Sequence, residues 1–471
     1  MLADHIASKI LSQIREKPTP SQERLVEKLA SFTINSNDDA MLVVRGYAGT
    51  GKTTAISAYV AMLNEMKLKS VLMAPTGRAA KVLSSYSGVP AYTIHKKIYR
   101  QRSSKDGFGR FVLDKNLHTQ TVFIVDEASM ISNQKQEGSV FGSGCLLDDL
   151  IEYVYNGKGC KLLLVGDTAQ LPPVGLDKSP ALSIDIIKIF SDSIAEDELK
   201  EVVRQKKESG ILYNASILRN RIDSNNFTLP LLKLDKYDDI VRAGGNELIE
   251  AIASSYEKFG LEQSIVVSRS NKRANKYNQG IRSSILGRDD ELVPGDLLMV
   301  VKNNYFWLKD DEKIDFIANG DIIEVLRIFK YEAVYGYRFV NCRVRLIDYD
   351  TEIDVKLMLD VLYEDTPALS GEKNKVMFYN ILEDYSNLKS KKKQYENVKN
   401  NEYFNAVQVK YAYAVTCHKS QGGQWKSVFI DQGYITKENI TIEYFRWLYT
   451  ALTRATEKVY LVNFPDYFFE G

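Results

Sequence analysis

GYAGTGKT at 46–53 sets glycine, glycine, lysine and threonine at the spacing G-x-x-x-x-G-K-T, after the apolar run MLVVRG and before the helical pattern ISAYVAMLNEMK. In that setting the backbone N–H groups of 49–53 can wrap phosphates at a helix N-terminus. Lys52 then supplies a point charge, and Thr53 a hydroxyl ligand for Mg²⁺. VDEAS at 125–129 puts two adjacent carboxylates at the end of another apolar run, 74 residues after Lys52. Asp126 and Glu127 would repel each other without a cation. Asp126 is placed to hold the metal through its waters, and Glu127 to orient and deprotonate an attacking water. A third run, KLLLVGDTAQLPPVG (161–175), carries Gln170 just past its end. A neutral amide there can hydrogen-bond a γ-phosphate or its water and lose that bond after hydrolysis, which makes Gln170 a candidate sensor. The chemistry expected is hydrolysis of a nucleoside triphosphate, with ATP and Mg²⁺ as the cofactors.

These groups need elements to hold them. MLVVRG (41–46), SVLMAPT (70–76), TVFIVDE (121–127) and KLLLVGD (161–167) each look like a fully buried strand, and helical patterns lie between them. Alternation of this kind predicts a doubly wound parallel sheet with ligands beyond the carboxyl ends of its strands. The second half repeats the style with SIVVSRSN (264–271), VQVKYAYAVT (407–416), SVFIDQ (427–432) and VYLVN (459–463), with YFRWLYTALTRA helical among them. Between about 285 and 405 the texture changes to short β-like runs broken by Gly-Asp at 295–296 and Asn-Gly at 319–320, as an inserted β-barrel would be. The run KSKKK at 389–393 is expected in a solvated loop, and 134–148 reads as a surface insertion.

A chain of 471 residues is longer than one core usually organises, so two main domains with inserts are expected. Lys and Arg total 62 against 61 acids, a net charge of +1, so any surface for a polyanion must be local. The four cysteines show no paired spacing, which argues against a zinc site or a disulfide framework. No apolar run reaches the ~20 residues that span a bilayer, and the N-terminus lacks the apolar core of a secretory signal. A cytoplasmic, intracellular protein without a membrane partner is expected.

Together with VTCHKSQGGQW (415–425) and YTALTRA (449–455), the blocks GYAGTGKTT, VDEASM and VGDTAQLPPVG make the chain resemble a superfamily 1 DNA helicase of the RecD/Dda-like branch. The resemblance spans about residues 20 to 463. It implies an α/β fold of two RecA-like parallel-sheet domains, with a β-hairpin insert in the first and an SH3-like insert in the second. The implied boundaries are 1–205 (hairpin about 98–120), 206–284 with 406–471, and the insert 285–405. The implied ATP set is Gly46, Ala48, Gly49, Thr50, Gly51, Lys52, Thr53 and Thr54, with Gln22 of PSQ reading the adenine edge. Arg204 and Arg454 would reach the γ-phosphate from across the cleft and stabilise transition-state charge.

The resemblance also implies a single-strand track. Pro75, Thr76 and Arg78 lie past a strand end and at a helix start, suited to phosphate contact. His95 is expected near the same face. Thr416, His418, Lys419 and Ser420 form a polar cluster that would grip the strand, with Gln421 and Gly422 relaying to the nucleotide. Phe108, in a polar hairpin, would be a duplex-splitting pin. The activity so implied is ATP-dependent 5′→3′ unwinding of DNA by a monomer, on single strands and single-strand/duplex junctions, with replication or repair proteins as partners. The alternatives are a single-strand-stimulated translocase that opens little duplex, and a non-unwinding subunit of a larger DNA-processing complex.

Overall fold

Successive side chains of a strand face opposite ways, so a run that is apolar throughout must be covered on both sides. The first sheet meets this condition residue by residue. Met41, Val43, Met73, Phe123, Val125, Leu162 and Leu164 enter one core, and Leu42, Val44, Leu72, Val122, Ile124, Leu163 and Val165 the other. Helices Leu2–Ser12, Pro20–Ile34 and Lys52–Glu65 close the second core through Ile6, Leu25 and Tyr59; Leu146–Tyr155 closes the first through Leu147 and Leu150. This architecture comes from a computed structural model, which describes residues 2–102, 110–135, 141–201, 209–245, 247–308 and 316–469.

The six strands lie in the order Ala91–Thr93, Lys69–Ala74, Thr121–Val125, Lys161–Gly166, Met41–Gly46, Ile194–Leu199, and every neighbouring pair is parallel. The strands leading to Glu127, Gln170 and the phosphate loop are therefore three consecutive neighbours, with their carboxyl ends on one edge. A second, five-stranded parallel sheet runs Ala414–Thr416, Ser264–Ser268, Trp425–Asp431, Ala455–Val462, Ile240–Ala243.

Between these lies a closed barrel of Leu297–Val300, Ile322–Val334, Tyr337–Leu346, Thr351–Met358 and Val407–Tyr411. Here the run 407–416, expected as one strand of the second sheet, does two jobs. Val407–Tyr411 closes the barrel, antiparallel to Leu297–Val300 and parallel to Thr351–Met358, and Ala414–Thr416 joins the second sheet. A helical pair, Gly371–Glu383 and Lys391–Lys399, separates the last two barrel strands, so KSKKK opens a helix rather than lying in a loop.

Tyr99–Arg102 and Arg110–Leu113 pair antiparallel; the tip with Phe108 lies outside the described residues, as does Arg204. The segment expected as a surface insertion is partly buried. Phe141 bridges to Phe111, with ring centroids 5.0 Å apart, and Cys145 is 6% exposed. All four cysteines are free and buried. Among the described residues no helix is long and apolar enough to cross a membrane.

Candidate active site

The phosphate loop follows a strand whose last residue, Gly46, would meet the Lys52 side chain at 2.9 Å if it carried a Cβ. Gly49 and Gly51 take φ of 78° and 82°, a left-handed backbone that only glycine adopts cheaply. The loop thereby turns the first amides of helix Lys52–Glu65 toward a cleft of about 560 Å³. Gly49, Gly51, Lys52, Thr53 and Thr54 line this cleft together with Asp126, Glu127 and Gln170 from the two neighbouring strand ends. Gly422, Gln424 and Arg454 line it from the other half of the chain. Lys52 Nζ donates to the carbonyls of Gly46 and Tyr47 at 2.5 and 2.9 Å.

Glu127 takes φ 52°, left-handed for a residue with a Cβ, and its N–H donates to Asp126 Oδ1 at 2.8 Å. Burial pushes its carboxyl up, Arg454 pulls it down, Asp126 pushes it up again and Lys52 lowers it. It is thus a desolvated carboxylate between cations, suited to taking a proton from water. Asp126 Oδ2 accepts from the Tyr86 hydroxyl at 2.5 Å, and Thr53, Tyr86 and Asp126 line the same cleft. Asp126 and Thr53 therefore border one cleft. Such a hydroxyl and carboxylate fit a hydrated Mg²⁺. Gln170 is 5% exposed, and its Oε1 has no partner among the described residues while the residue faces the cleft. A buried amide oxygen without a partner is costly unless something in the cleft supplies one.

Arg454 is 3% exposed, placed by bonds from Nε to Thr450 O (3.1 Å) and from a terminal nitrogen to Gly423 O (3.2 Å). It follows helix Ile442–Leu452, whose end makes three more hydrogen bonds across the cleft. The Tyr449 hydroxyl accepts from Ala48 N–H at 2.8 Å and donates to Asp167 Oδ2 at 2.6 Å. Thr450 Oγ1 accepts from Leu171 N–H at 2.9 Å, and Gln421 Nε2 donates to Leu171 O at 2.7 Å. Tyr86, Asp167 and Tyr449 were not singled out from sequence. One signal was available for Tyr449: helical spacing puts 449 with 453 and 450 with 454 on a common side.

Gln22 is 3% exposed and spends its amide locally. Its Oε1 caps Thr19 N–H at 2.9 Å, its Nε2 donates to Thr50 O at 3.4 Å, and it does not line the cleft. Ala48 and Thr50 are likewise held by structure. Ala48 N–H goes to Tyr449, and the Thr50 hydroxyl donates to Tyr47 O at 2.7 Å.

The residues expected on the DNA track separate into groups. Thr76 caps helix Gly77–Ser87, accepting from Ala79 N–H, and follows Pro75 past the strand end. The Arg78 guanidinium lies 4.0 Å over the Trp425 ring and donates to Gln424 O at 2.9 Å, so it ties the two halves together instead of standing free. Gly422 presses on the same helix. A Cβ there would lie 2.9 Å from Ala79 Cβ and 3.0 Å from Thr76 Oγ1, and its φ is 72°. Gly77 is pressed in turn by the barrel, at 2.6 Å from Asp321 Oδ1 and 2.9 Å from the Tyr349 hydroxyl.

Thr416, His418 and Lys419 are half-buried around the turn Cys417–Ser420. Burial lowers His418, and burial with the neighbouring Lys410 charge brings Lys419 down to about 8. Ser420 departs from expectation. It is fully buried, with its hydroxyl on Cys417 O at 2.7 Å, and cannot grip a strand. His95 lies elsewhere, its ring 4.7 Å from Phe141 and 5.7 Å from Tyr99, and burial holds it at about 4, neutral at pH 7.

Residues 17–229 match the family model for the AAA domain, and residues 411–462 the one for the UvrD-like helicase C-terminal domain. An uncharacterized protein of Acanthamoeba polyphaga mimivirus is 24% identical, the match covering 93% of this chain and 98% of that one. The ATP-dependent RecD2 DNA helicase of Deinococcus radiodurans is 24% identical over 94% of this chain, which spans 50% of that protein's length. The ATP-dependent DNA helicase dda of Enterobacteria phage T4 is 25% identical over 64% of this chain and 65% of its own.

Proposed function

The chain belongs to the superfamily 1 helicases of the RecD/Dda type, and from that membership we propose an ATP-driven motor that moves 5′→3′ along single-stranded DNA and opens duplex at a junction. The observation that carries this reading is the facing of half-buried Glu127 and buried Arg454 across one cleft, each from a different parallel sheet. The two sheets serve as RecA-like domains, 1–205 and 206–284 with 406–471, and the barrel within 285–405 and its closing strand as an SH3-like module.

Phosphates of ATP lie on the amides of 49–53, with Lys52 turning from the loop carbonyls to their oxygens. Thr53 and Asp126 would hold Mg²⁺, which would supply neutralisation of phosphate charge. Glu127 takes the proton of the attacking water, and Gln170 bonds that water or the γ-phosphate. Arg454 stabilises the charge that develops, which it does only while the halves are closed. Hydrolysis removes what Arg454 and Gln170 hold, and the cleft loosens. Arg204 would add a second cation. Thr76, Arg78, Thr416, His418 and Lys419 border the strand's path, and replication or repair proteins would load the enzyme.

The test is strand separation with ATP on two matched duplexes, one with a 5′ and one with a 3′ single-stranded tail. Opening of the 5′-tailed duplex alone is expected. Opening of the 3′-tailed one alone would overturn the polarity. If neither opens while single strands stimulate hydrolysis, the protein is a translocase or a motor subunit.

A further inference from the structure

A net charge of +1 leaves little general attraction for a polyanion, so local excess is informative. It occurs on the helical pair Gly371–Glu383 and Lys391–Lys399. The pair is fixed to the barrel by a core of its own, with Met377, Ile381 and Val398 against Phe339 and Met358, and the Tyr335 hydroxyl donates to Asp384. Residues 371–399 hold seven lysines and four carboxylates, an excess of three positive charges.

Where the lysines sit matters more than their number. Lys391, Lys392 and Lys393 form the first turn of the second helix, behind a Ser390 cap that accepts from the Lys393 N–H. The open amides of a first turn favour carboxylates and disfavour cations. All three lysines and Lys389 are exposed. The charge at this turn therefore works against the helix dipole rather than with it. Next to it runs a strip of rings. Tyr395 lies 5.4 Å from Phe378, which lies 5.7 Å from Tyr379, and the tyrosines are 40% and 61% exposed. Lysines that meet phosphates beside rings that meet bases are the two components of single-strand binding without sequence preference.

We propose that this face binds single-stranded DNA outside the track between the two sheets, and that at a fork it holds the tail the motor does not follow. The proposal rests on the motor reading above. It is tested by fluorescence anisotropy on a fork with both tails and on the same duplex with the 5′ tail alone.

The unmodified protein is expected to bind the fork roughly 10-fold more tightly, since stacking of one base alone supplies that factor. The variant Lys391→Ala/Lys392→Ala/Lys393→Ala should lose most of this preference. Its plot of log affinity for the fork against log salt should be shallower by about 2, from three phosphate contacts on a single strand. Its Tm should stay within a few degrees, because exposed lysines of a helix replaced by alanine change stability little. Tyr379→Ala/Tyr395→Ala should lose the preference with the salt slope kept. In both variants, ATPase stimulated by a short single strand should be unchanged.

A fork preference absent from the unmodified protein, or intact in both variants, overturns the proposal. So does a loss in the lysine variant that appears equally with blunt duplex, which would mean duplex contact. Absence of single-strand-stimulated ATPase in the unmodified protein would instead fail the motor reading.

Discussion

At Glu127 two costs coincide: a left-handed backbone at a residue with a Cβ, and a half-buried carboxyl that desolvation pushes up. Such costs persist where chemistry uses them. Glu127→Gln should bind ATP with little change while DNA-stimulated turnover falls roughly 100-fold or more, measured as equilibrium binding beside steady-state rate. Near-normal turnover would remove Glu127 from the role of base. Asp321 gives a different prediction, in stability. Burial raises its carboxyl to about 8, against a lowering bond from Ala318 N–H (2.7 Å), and Asp348 raises it further. The folded form therefore holds a proton that the unfolded form releases near pH 4, so this residue's contribution falls as pH climbs from about 4 to about 8. Asp321→Asn should remove that slope. Its Tm should exceed that of the unmodified protein by several degrees at pH 8.5 and match it near pH 4, by thermal melts across the range. The sequence displayed Lys52, Asp126, Glu127 and Gln170 because each is a polar residue where a buried strand ends. It could not display Tyr86 or Asp321, whose character comes from neighbours distant in the chain.

Among the elements, helix Ile442–Leu452 joins most of the site. Its end touches the phosphate loop through Tyr449, the 167–171 loop through Tyr449 and Thr450, and brings Arg454 toward Glu127. Burial with the Asp167 charge keeps the Tyr449 hydroxyl protonated far above its ordinary range, so it always has a proton for that carboxylate. Tyr449→Phe keeps the ring and removes both bonds of the hydroxyl, to Asp167 and from Ala48 N–H. The expected result is an ATP KM within about twofold, with DNA-stimulated kcat down about 10-fold, the size of one bond to a charged group. Faster hydrogen exchange at Ala48 should accompany it. Equal changes in KM and kcat, or none, would mean the tyrosine merely fills space. The strands were legible from runs apolar at every position, but the dual use of 407–416 was not. Both sheets accept the same alternation, and only the barrel's closure decides where one ends.

Across the whole molecule, the two halves share one continuous core: Tyr47, Ala169 and Leu171 of the first pack with the second sheet and the barrel. The near-balance of charge says only that any attraction for nucleic acid is local, not where it lies, because KSKKK looks the same in a loop as at a helix start. The strand Val407–Tyr411 has one more consequence. The barrel looks removable, a module bounded by residues 285 and 405, yet its last stave comes from chain that continues within two residues into the second sheet. Splicing out 285–405 would leave that stave with both flanks bare, an open edge ready to recruit another molecule's strand. The module can therefore be exchanged between proteins only as a cassette that includes residue 411, and a shortened chain cut at 405 should be recovered as aggregate.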